Sequence, residues 1–445
     1  MSYDSAVANL YALGHELART PSHKFDLAHM RILLDALEQP ERRFPAVLIA
    51  GTNGKGSTAA TLASVLCAAG YRTALYTSPH LIRLNERIRI NGQEIGDQEF
   101  AAIHGRVEEI AHGLVAAGRL PWHPSFFEML TTIAFQHFAA AQVDIAVLEV
   151  GMGGRLDATN VVTPLLSVIT DISLDHQKFL GNTIAEIAAE KAGIIHPGGV
   201  VVTLPQHPAA HDVIGHAVLQ CGARAVSAVP YVPVTTPAAL DGHPVPDYTS
   251  YPLEVLNQEI IVESPLVGQH QYRNTALAIA AAVELNAHGF HVSAAHIAAG
   301  IRHTRWPGRF QLIPAHSSCP EIVLDVAHNP AGAWALRSAL SHSYGERPLT
   351  FVFGAMRDKA IAEIAEILFP LARHVVATRA DNPRSAAPEE IRQAAARTGT
   401  DVLCASRIPP ALAQARSLAG SGGVVVVTGS IYIVGEAMRE LGIRA

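Results

Sequence analysis

A glycine-rich segment with one lysine and three hydroxyl side chains occupies residues 51–58, GTNGKGST. It follows the apolar run of residues 47–50 and precedes AATLASVLCAAG, whose spacing is helical. Glycines let backbone N–H groups approach phosphate oxygens, and the N-terminus of the next helix is positively polarised. The spacing departs from the usual G-x-x-x-x-G-K-[ST], because a further glycine follows the lysine. The segment predicts a nucleotide phosphate site, with Lys55 on the terminal phosphates and Ser57 or Thr58 near a magnesium ion.

Glu149 ends the predicted strand in the run of residues 144–150, and the segment VGMGGRLDATN follows it. An acid at a strand tip beside a phosphate loop is a common magnesium ligand. The glycines after it permit close approach of the backbone to a ligand, and polar reach is added by Arg155, Asp157 and Asn160. Taken alone, such an acid is as often a capping or solvent-facing group, so the phosphate loop favours the metal role.

Three further polar groups fall at predicted strand tips or in a short helix. Asp171, Asp175 and His176 follow another apolar run, and two neighbouring acids leave metal ligation by His176 as open as a structural role. Lys191 lies near the end of the helical IAAEKAGI, where charge patterning alone favours a surface lysine. Ser78 in YTSPHL follows a strand and, by itself, indicates only a turn.

Short runs rich in Val, Ile, Leu and Ala must position these groups. They lie at residues 46–50, 72–77, 144–150, 165–170 and 199–204. Helix-length segments separate several of them, which predicts an α/β fold with a mostly parallel sheet and crossover helices. Asn91-Gly92 between two extended runs predicts a hairpin. Residues 228–265, with seven prolines, are interpreted as irregular β structure.

A second series of strand–loop–helix units follows the Pro-Gly turn of residues 300–310. It predicts a smaller open α/β sheet. Because functional groups of such sheets lie at the carboxyl ends of strands, four loops should share one edge: DVAHNPAG, GAMRDKA, TRADNPRS and TGSIY.

Length and composition narrow the class of protein. The 445 residues suggest two or three domains, and a net charge of −6 argues against a nucleic-acid-binding protein. No signal-peptide pattern is evident, and no apolar run approaches the ~18 residues of a membrane helix. Four widely spaced cysteines indicate reduced thiols in a cytoplasmic protein, namely Cys67, Cys221, Cys319 and Cys404.

Seven motifs together resemble folylpolyglutamate synthases and bifunctional dihydrofolate synthases, which belong to the Mur ligase superfamily. In chain order they are GTNGKGST, TSPHL, LEVGMGGRLDATN, LDHQKFLG, EKAGI, PGRF and DVAHNP. The likeness runs from about residue 25 to the C-terminus. It implies an ATP- and folate-binding P-loop domain over residues 1–302, a linker over 303–311 and a smaller Rossmann-like, glutamate-binding domain over 312–445.

The resemblance implies an ATP-dependent amide ligase that converts a carboxylate to an acyl phosphate, which the amine of L-glutamate then attacks. The implied catalytic residues are Lys55, Lys191 and His176. The implied nucleotide contacts are Asn53, Gly54, Lys55, Gly56, Ser57, Thr58, Asn274, Arg309, Asp325 and His328. The implied magnesium ligands are Ser57, Ser78, Glu149, His176 and Lys191, the last as a carbamate. The implied pterin site comprises Phe25, Asp26, Leu27, Phe127, Leu156, Asp157 and Ala158. One departure is Ser57, where threonine is the alternative hydroxyl residue.

The implied ligands are ATP, Mg²⁺, L-glutamate, and dihydropteroate or a reduced folate. A monovalent cation is a further candidate, and a monomer without nucleic-acid or membrane partners is expected. The segment KFDLAHMR favours a pterin site and hence both activities, dihydrofolate synthesis and polyglutamylation. A monofunctional folylpolyglutamate synthase is the alternative.

Three competing classes are less well supported. A peptidoglycan Mur ligase usually has a domain of ~100 residues before the phosphate loop, and only 50 residues precede Gly51. A GTP-dependent switch would call for an N-K-x-D guanine contact, which the sequence lacks. An ATP-binding module without catalysis would not explain why an acid, a histidine and a lysine all recur near strand tips.

Overall fold

The apolar runs form the strands of a mostly parallel, eight-stranded sheet in the computed structural model, which describes residues 1–14, 26–234, 248–316, 319–345 and 347–444. The strand order is β4-β3-β2-β5-β1-β6-β7-β8, and only β3 and β4 run antiparallel to their neighbours. The strands are β1 (Ala46–Ala50), β2 (Thr73–Tyr76), β3 (Ile88–Ile90), β4 (Gln93–Glu94), β5 (Ile145–Glu149), β6 (Leu166–Ile169), β7 (Val200–Thr203) and β8 (Arg224–Ser227). The alternation predicted from the sequence is confirmed.

Helices cover both faces of this sheet, which explains why its central strands are apolar throughout. Every residue of β1 and β5 is buried. The helices of this half are α1 (Tyr3–Ala12), α2 (Leu27–Ala36), α3 (Lys55–Ala68), α4 (Asp97–Ala116), α5 (Phe126–Ala140), α6 (Gln177–Leu180), α7 (Ile184–Ala192), α8 (Pro208–Gln220), α9 (Gln269–Leu285) and α10 (Ala294–Arg302). Side chains on opposite faces of β1 enter separate cores: Leu48 packs on one side and Ile49 on the other.

The first half of the chain also contains two antiparallel hairpins, one at the edge of the eight-stranded sheet and one that forms a separate two-stranded sheet. Asn91 and Gly92 both have positive φ, 49° and 76°, and join β3 to β4 as predicted. The interpretation of residues 228–265 as irregular β structure is wrong for its second half. There, β9 (Thr249–Val255) and β10 (Gln258–Ser264) form a regular antiparallel pair. Residues 235–247 lie outside the described part of the chain.

A six-stranded sheet of order β11-β12-β16-β13-β14-β15 forms the second half of the molecule. Its strands are β11 (Gln311–Ile313), β12 (Glu321–Leu324), β13 (Leu349–Phe353), β14 (Ala372–Ala377), β15 (Val402–Cys404) and β16 (Val424–Thr428). Its helices are α11 (Pro330–Tyr344), α12 (Ile361–Leu368), α13 (Pro388–Ala394), α14 (Ile408–Ala419) and α15 (Ile431–Glu440). All pairs except β11–β12 are parallel, which confirms the smaller α/β sheet.

The strand-free segment between the halves runs from the end of α10 at Arg302 to the start of β11 at Gln311. All four cysteines fall within the described residues and are free thiols. Among the helices that the structure describes, none has the length and hydropathy to cross a membrane.

Candidate active site

The carboxyl ends of the strands from both sheets face one cavity of about 990 Å³. The loops after β1, β5 and β6 line it from the first sheet, and the loops after β12, β13, β14 and β16 line it from the second. The prediction that DVAHNPAG, GAMRDKA, TRADNPRS and TGSIY share one edge is confirmed. The predicted residues that line the cavity are Asp26, Leu27, Asn53, Gly54, Lys55, Gly56, Ser57, Ser78, Phe127, Glu149, Leu156, Asp157, Ala158, His176, Lys191, Asn274, Arg309, Asp325 and His328.

Two predicted residues of the described chain, Thr58 and Asn160, do not belong to this lining. Thr58 is buried and its hydroxyl donates to the Asn274 carbonyl at 3.4 Å, so it braces α3 against α9. Phe25 lies outside the described residues.

The phosphate loop is held open by glycines at the end of β1. Gly54 has φ of +89° and caps α3, and a Cβ there would lie 2.1 Å from Asn274 Oδ1. Because a side chain at position 54 would clash with Asn274, only glycine fits there, and the N–H groups of the loop remain accessible. Lys55 Nζ donates to the carbonyls of Gly51 and Thr52, both at 3.2 Å. The lysine is therefore folded back along the loop, at the start of a helix whose positive end can receive an anion.

Glu149 at the tip of β5 is one of the buried acids of the site. Its Oε2 accepts the Ser78 backbone N–H at 3.1 Å. Burial raises the pKa of the Glu149 carboxyl, with Lys55 opposing that effect. A buried carboxylate gains stability from a nearby cation, and carboxylate and hydroxyl oxygens suit Mg²⁺. The donor set of Glu149, Ser57 and Ser78 therefore fits a magnesium ion.

Lys191 in the last turn of α7 points back into the phosphate loop. Its Nζ donates to the Gly51 carbonyl at 2.7 Å, and only 4% of the residue is exposed. Burial, followed by the charge of Lys55, lowers the pKa of Lys191 to about 7. The simple expectation from charge patterning, a surface lysine, is wrong. A buried amine with this pKa is substantially neutral near pH 7, and only a neutral amine is nucleophilic towards carbon dioxide.

Asp175 connects the two halves of the molecule. Its Oδ1 lies 2.5 Å from Lys359 Nζ, and its Oδ2 lies 3.5 Å from His328 Nε2. Although burial alone would raise it, His328, His176 and Lys359 hold the pKa of the Asp175 carboxyl well below its usual range. Asn329 adds a donor to Oδ2 at 3.1 Å. We name this set of Asp175, His328, Asn329 and Lys359 the interdomain latch.

Asn329 extends the latch onto the phosphate loop itself. Its Nδ2 donates to Asn53 Oδ1 at 3.0 Å, and Asn53 Nδ2 donates back to Asn329 Oδ1 at 3.3 Å. Asn329 Oδ1 also caps α11 by accepting the Gly332 N–H. Asn329 therefore connects the second sheet directly to the phosphate loop. Sequence reasoning missed Lys359 and Asn329 as site residues, although both lie in the two loops predicted to reach the shared edge.

Asp171, Asp175 and His176 all line the cavity, as their grouping in the sequence suggested, but His176 and Asp171 have different partners. His176 has a left-handed backbone with φ of 50°, and burial lowers its pKa to about 3, with Asp175 opposing and Lys359 reinforcing. The imidazole is neutral at physiological pH, as a metal ligand must be. Asp171 instead pairs with Arg273 Nε at 2.9 Å, a bidentate contact from α9 that sequence reasoning missed.

Asp325 and Arg309 line the cavity from the segment around β11 and β12. Asp325 accepts the N–H groups of Phe310 and Ala327, each at 2.9 Å, so it fixes the turn that carries Arg309. Burial raises the pKa of Asp325, which His270 opposes first. The Arg309 guanidinium packs 5.8 Å from the centre of the Trp306 ring.

Part of the cavity lining consists of apolar and aromatic side chains. Phe127 at the start of α5 packs closely against Gly151. A Cβ added to Gly151 would lie 2.5 Å from the Phe127 ring. Asp26 caps α2 by accepting the Ala28 N–H at 2.8 Å. Asp157 accepts the Met152 and Thr159 N–H groups and so holds the glycine-rich loop after β5. Asp26 and Asp157 therefore make structural hydrogen bonds within the protein, in addition to the pterin contacts predicted for them.

Lysine is concentrated at this site. The chain contains five lysines. Four of them line the cavity: Lys55, Lys178, Lys191 and Lys359. The fifth, Lys24, lies outside the described residues. Eight carboxylates line the same cavity, so the lysines supply local positive charge, such as that of Lys55 in the phosphate loop, within a lining of mixed charge.

A phosphate loop facing a second α/β domain across one cavity is the arrangement of a Mur-type ligase. Two family models match accordingly: the Mur ligase middle domain over residues 126–282 and the Mur ligase glutamate ligase domain over residues 308–431.

Relatives define the family more narrowly. The chain is 36% identical to the dihydrofolate synthase/folylpolyglutamate synthase of Bacillus subtilis, over 93% of this chain and 94% of that protein. It superposes on Mycobacterium tuberculosis folylpolyglutamate synthase complexed with ADP and AMPPCP with a TM-score of 0.84 and 32% identity, over 99% of each chain. Escherichia coli FolC in complex with DHPP and ADP gives a TM-score of 0.81 and 29% identity, over 99% and 98% of the two chains. The chain belongs to the dihydrofolate synthase/folylpolyglutamate synthase family.

Proposed function

We propose that this chain joins L-glutamate to dihydropteroate, giving dihydrofolate, and to the γ-carboxylate of reduced folates, extending a polyglutamate tail. The chemistry is ATP-dependent amide ligation through an acyl phosphate. The observation that carries the proposal is a single cavity that is lined both by the phosphate loop and by the predicted pterin residues of the described chain.

The reaction needs two anions to meet. The substrate carboxylate is a poor electrophile, so one of its oxygens attacks the γ-phosphorus of ATP and ADP leaves. The glutamate amine then attacks the acyl carbon, and inorganic phosphate leaves with the C–O bond electrons. Lys55 reduces the repulsion between the carboxylate and the ATP phosphates and stabilises the charge that develops on the transferred group. Asn53, the other loop N–H groups and the α3 N-terminus orient the phosphates.

We propose that Ser57, Ser78, Glu149 and His176 hold Mg²⁺ and that Lys191, as a carbamate, holds a second cation. The metal would supply positive charge that offsets the phosphates during transfer. The buried carboxylate of Glu149 and the neutral imidazole of His176 support this assignment. The low pKa of Lys191 supports carbamylation, which turns a cation into an anion beside the metal. A monovalent cation is a further proposed ligand.

Asn274 from α9, Arg309 from the segment before β11, and Asp325 and His328 from the loop after β12 are proposed to contact the nucleotide. Thr58 is proposed to act through α3 rather than by direct contact, since its hydroxyl is engaged with Asn274. An acyl phosphate hydrolyses readily, so water must be kept out. The latch contacts between Asp175 and Lys359 and between Asn53 and Asn329 support closure of the second domain, residues 312–445, over the first, residues 1–302.

The pterin is proposed to bind among Asp26, Leu27, Phe127, Leu156, Asp157 and Ala158, with Phe25 carried over from the family likeness. An aromatic wall from Phe127 suits a flat heterocycle. This favours both activities over the alternative, a monofunctional folylpolyglutamate synthase. We further propose that the protein acts as a cytoplasmic monomer, because one chain supplies the whole predicted site.

One assay tests the function. The purified protein is given ATP, Mg²⁺ and L-glutamate, with dihydropteroate or tetrahydrofolate supplied separately. We expect ADP release to require both glutamate and a pterin substrate, and mass spectrometry to detect products heavier by glutamyl units. A glutamylated product formed with tetrahydrofolate but not with dihydropteroate would establish the monofunctional alternative. ADP release without any pterin or glutamate requirement would overturn the ligase assignment.

A further inference from the structure

A cluster of imidazole and carboxylate groups lies on α4 and the segment that follows it. Glu108 Oε1 lies 3.1 Å from His112 Nε2, and Glu108 Oε2 lies 3.5 Å from His123 Nε2. The three ligand atoms are all within 4.8 Å of one another, and among the described residues this is the group of His, Cys, Asp and Glu that meets this spacing. Glu108 and His112 are four residues apart and so share one helix face.

The hydrogen bonding of His123 leaves a lone pair directed into the cluster. Its Nδ1–H donates to the Pro124 carbonyl at 2.9 Å. Its Nε2 is buried, as is Glu108 Oε2, and neither atom has a hydrogen-bond partner among the described residues. With Nε2 unprotonated, two acceptors face each other across 3.5 Å, and either a proton on Nε2 or a metal ion between the two atoms would relieve their repulsion. A backbone carbonyl on the far nitrogen is also how proteins orient metal-binding histidines.

His104 provides a second, independent observation. It lies one helical turn before Glu108, its side chain is 0% exposed, and its Nε2 is 4.0 Å from Glu108 Oε2. Neither ring nitrogen has a hydrogen-bond partner in the described part of the chain. A fully buried imidazole with two orphan nitrogens is costly unless a ligand satisfies it.

The distances and the donor types fit a transition metal. Ligand atoms about 2.1 Å from a tetrahedral zinc ion lie roughly 3.4 Å apart. The distances of 3.1 Å from His112 to Glu108 Oε1 and 3.5 Å from His123 to Glu108 Oε2 are close to that value, and one ligand atom from each of the three residues lies within 4.8 Å of the others. Imidazole nitrogen suits Zn²⁺ and similar ions, whereas Mg²⁺ prefers oxygen. We propose that Glu108, His112 and His123 bind a Zn²⁺-like cation, with His104 next to its fourth position.

The consequence of such a site would be a braced cavity wall. His123 lies in the segment between α4 and α5, and Trp122, His123, Pro124 and Ser125 all line the large cavity. Ser125 caps α5 through the Glu128 N–H, and α5 carries Phe127. A cation that joins α4 to His123 would fix the start of α5 and hence the aromatic wall. The proposal concerns this cation only and does not depend on the ligase assignment.

Zinc binding by the full-length protein tests the proposal. Metal-free protein is titrated with ZnCl₂ in the presence of excess Mg²⁺, which occupies oxygen-rich sites, and a chromophoric zinc chelator competes for the ion. We expect one tightly bound zinc per chain, lost in His112→Ala and in Glu108→Gln. The His112 side chain is 68% exposed, so its removal leaves the fold intact. The matched control is His342→Ala, an exposed histidine on α11 that should retain the zinc.

Two further readouts make the result decisive. Zinc should raise the midpoint of thermal unfolding in the wild-type protein and in His342→Ala, but not in His112→Ala. Bound Co²⁺ should give the visible absorption of a tetrahedral site only when His112 and His123 are both present. The proposal is overturned if zinc does not bind, or if the affinity and stoichiometry are the same in His112→Ala as in the wild type.

Discussion

Lys55 illustrates how much a single side chain contributes when it is aligned before the substrate arrives. Its ammonium group is already held by two loop carbonyls, so no large rearrangement is needed to meet a phosphate. Preorganised charges of this kind are stronger in a water-excluded site than in water.

We predict that Lys55→Ala lowers kcat by roughly 100-fold or more, since that is the usual loss when one preorganised electrostatic group is removed. The free energy of unfolding should change little, because Lys55 makes loop contacts rather than core contacts. Steady-state kinetics and urea unfolding measure the two effects. Arg302→Ala removes an exposed cation from α10 and serves as the control; wild-type turnover in Lys55→Ala would defeat the assignment.

Lys191 allows a prediction about pH. Its pKa is about 7 in the fold against 10.5 for the free side chain, so the folded state binds fewer protons than the unfolded state between these values. In carbon-dioxide-free buffer, the free energy of unfolding of the wild type relative to Lys191→Met should therefore be lowest and flat below pH 7 and rise from pH 7 towards 10.5. Urea unfolding of both proteins across this range measures the difference. A difference independent of pH would show that the amine is not desolvated.

At the scale of elements, helix packing holds the phosphate loop in place. Gly300 of α10 meets α3 so closely that a Cβ would lie 2.3 Å from Val65 Cα. Gly105 in α4 is also helical but has open space around it.

We predict opposite effects of alanine at these two positions. Gly300→Ala should destabilise the protein by about 1–3 kcal/mol, because backbone must move to relieve the clash, and it should weaken ATP binding through the displaced α3. Gly105→Ala should stabilise by ~0.5–1 kcal/mol through the lower entropy of the unfolded chain. Urea unfolding and nucleotide titration test both variants. Equal stabilities for the two would mean that the α3–α10 contact is looser than the structure indicates.

Elements with a strong periodic pattern could be predicted from the sequence, and those with weak local signals could not. The strands of both sheets were apparent because their apolar runs are buried on both faces. The β9–β10 hairpin was missed because its turn is Leu256-Asn257, both with positive φ, rather than Asn-Gly, and because Pro252 lies within β9. Its alternation of buried Tyr251, Leu253 and Val255 was a signal that could have revealed it.

The site divides in the same way. Loop residues with a motif, such as Lys55 and Glu149, were predicted with their location. Contacts that depend on how two domains meet, such as that between Asp175 and Lys359, are separated by 184 residues and leave no local pattern. The burial of Lys191 also escaped charge patterning, since Glu190 beside it pairs with Arg155 instead.

On the scale of the whole molecule, the interdomain latch joins the two halves of the chain beside the cavity. Lys359 and Asp175 are both less than a tenth exposed, and removing one member of a buried ion pair costs on the order of 3–5 kcal/mol.

We therefore predict that Lys359→Met separates the two domains and raises the radius of gyration in small-angle X-ray scattering. The ratio of ATP hydrolysis to amide formation should rise as well, because water reaches the acyl phosphate. Arg357→Gln, which removes an exposed ion pair with Glu390 inside the second domain, is the matched control. Identical scattering curves for Lys359→Met and the wild type would show that other contacts hold the domains together.

The scarcity of lysine has a practical side. Because four of the five ε-amines line one cavity, reagents that acylate lysine, including common crosslinkers, dyes and surface-coupling chemistries, would react within this cavity as well as at the exposed α-amine of Met1. The same property makes amine acylation a footprint, since a bound nucleotide should slow it. Immobilisation or fluorescent tagging is better directed to the thiol of Cys319, which is exposed in the second domain.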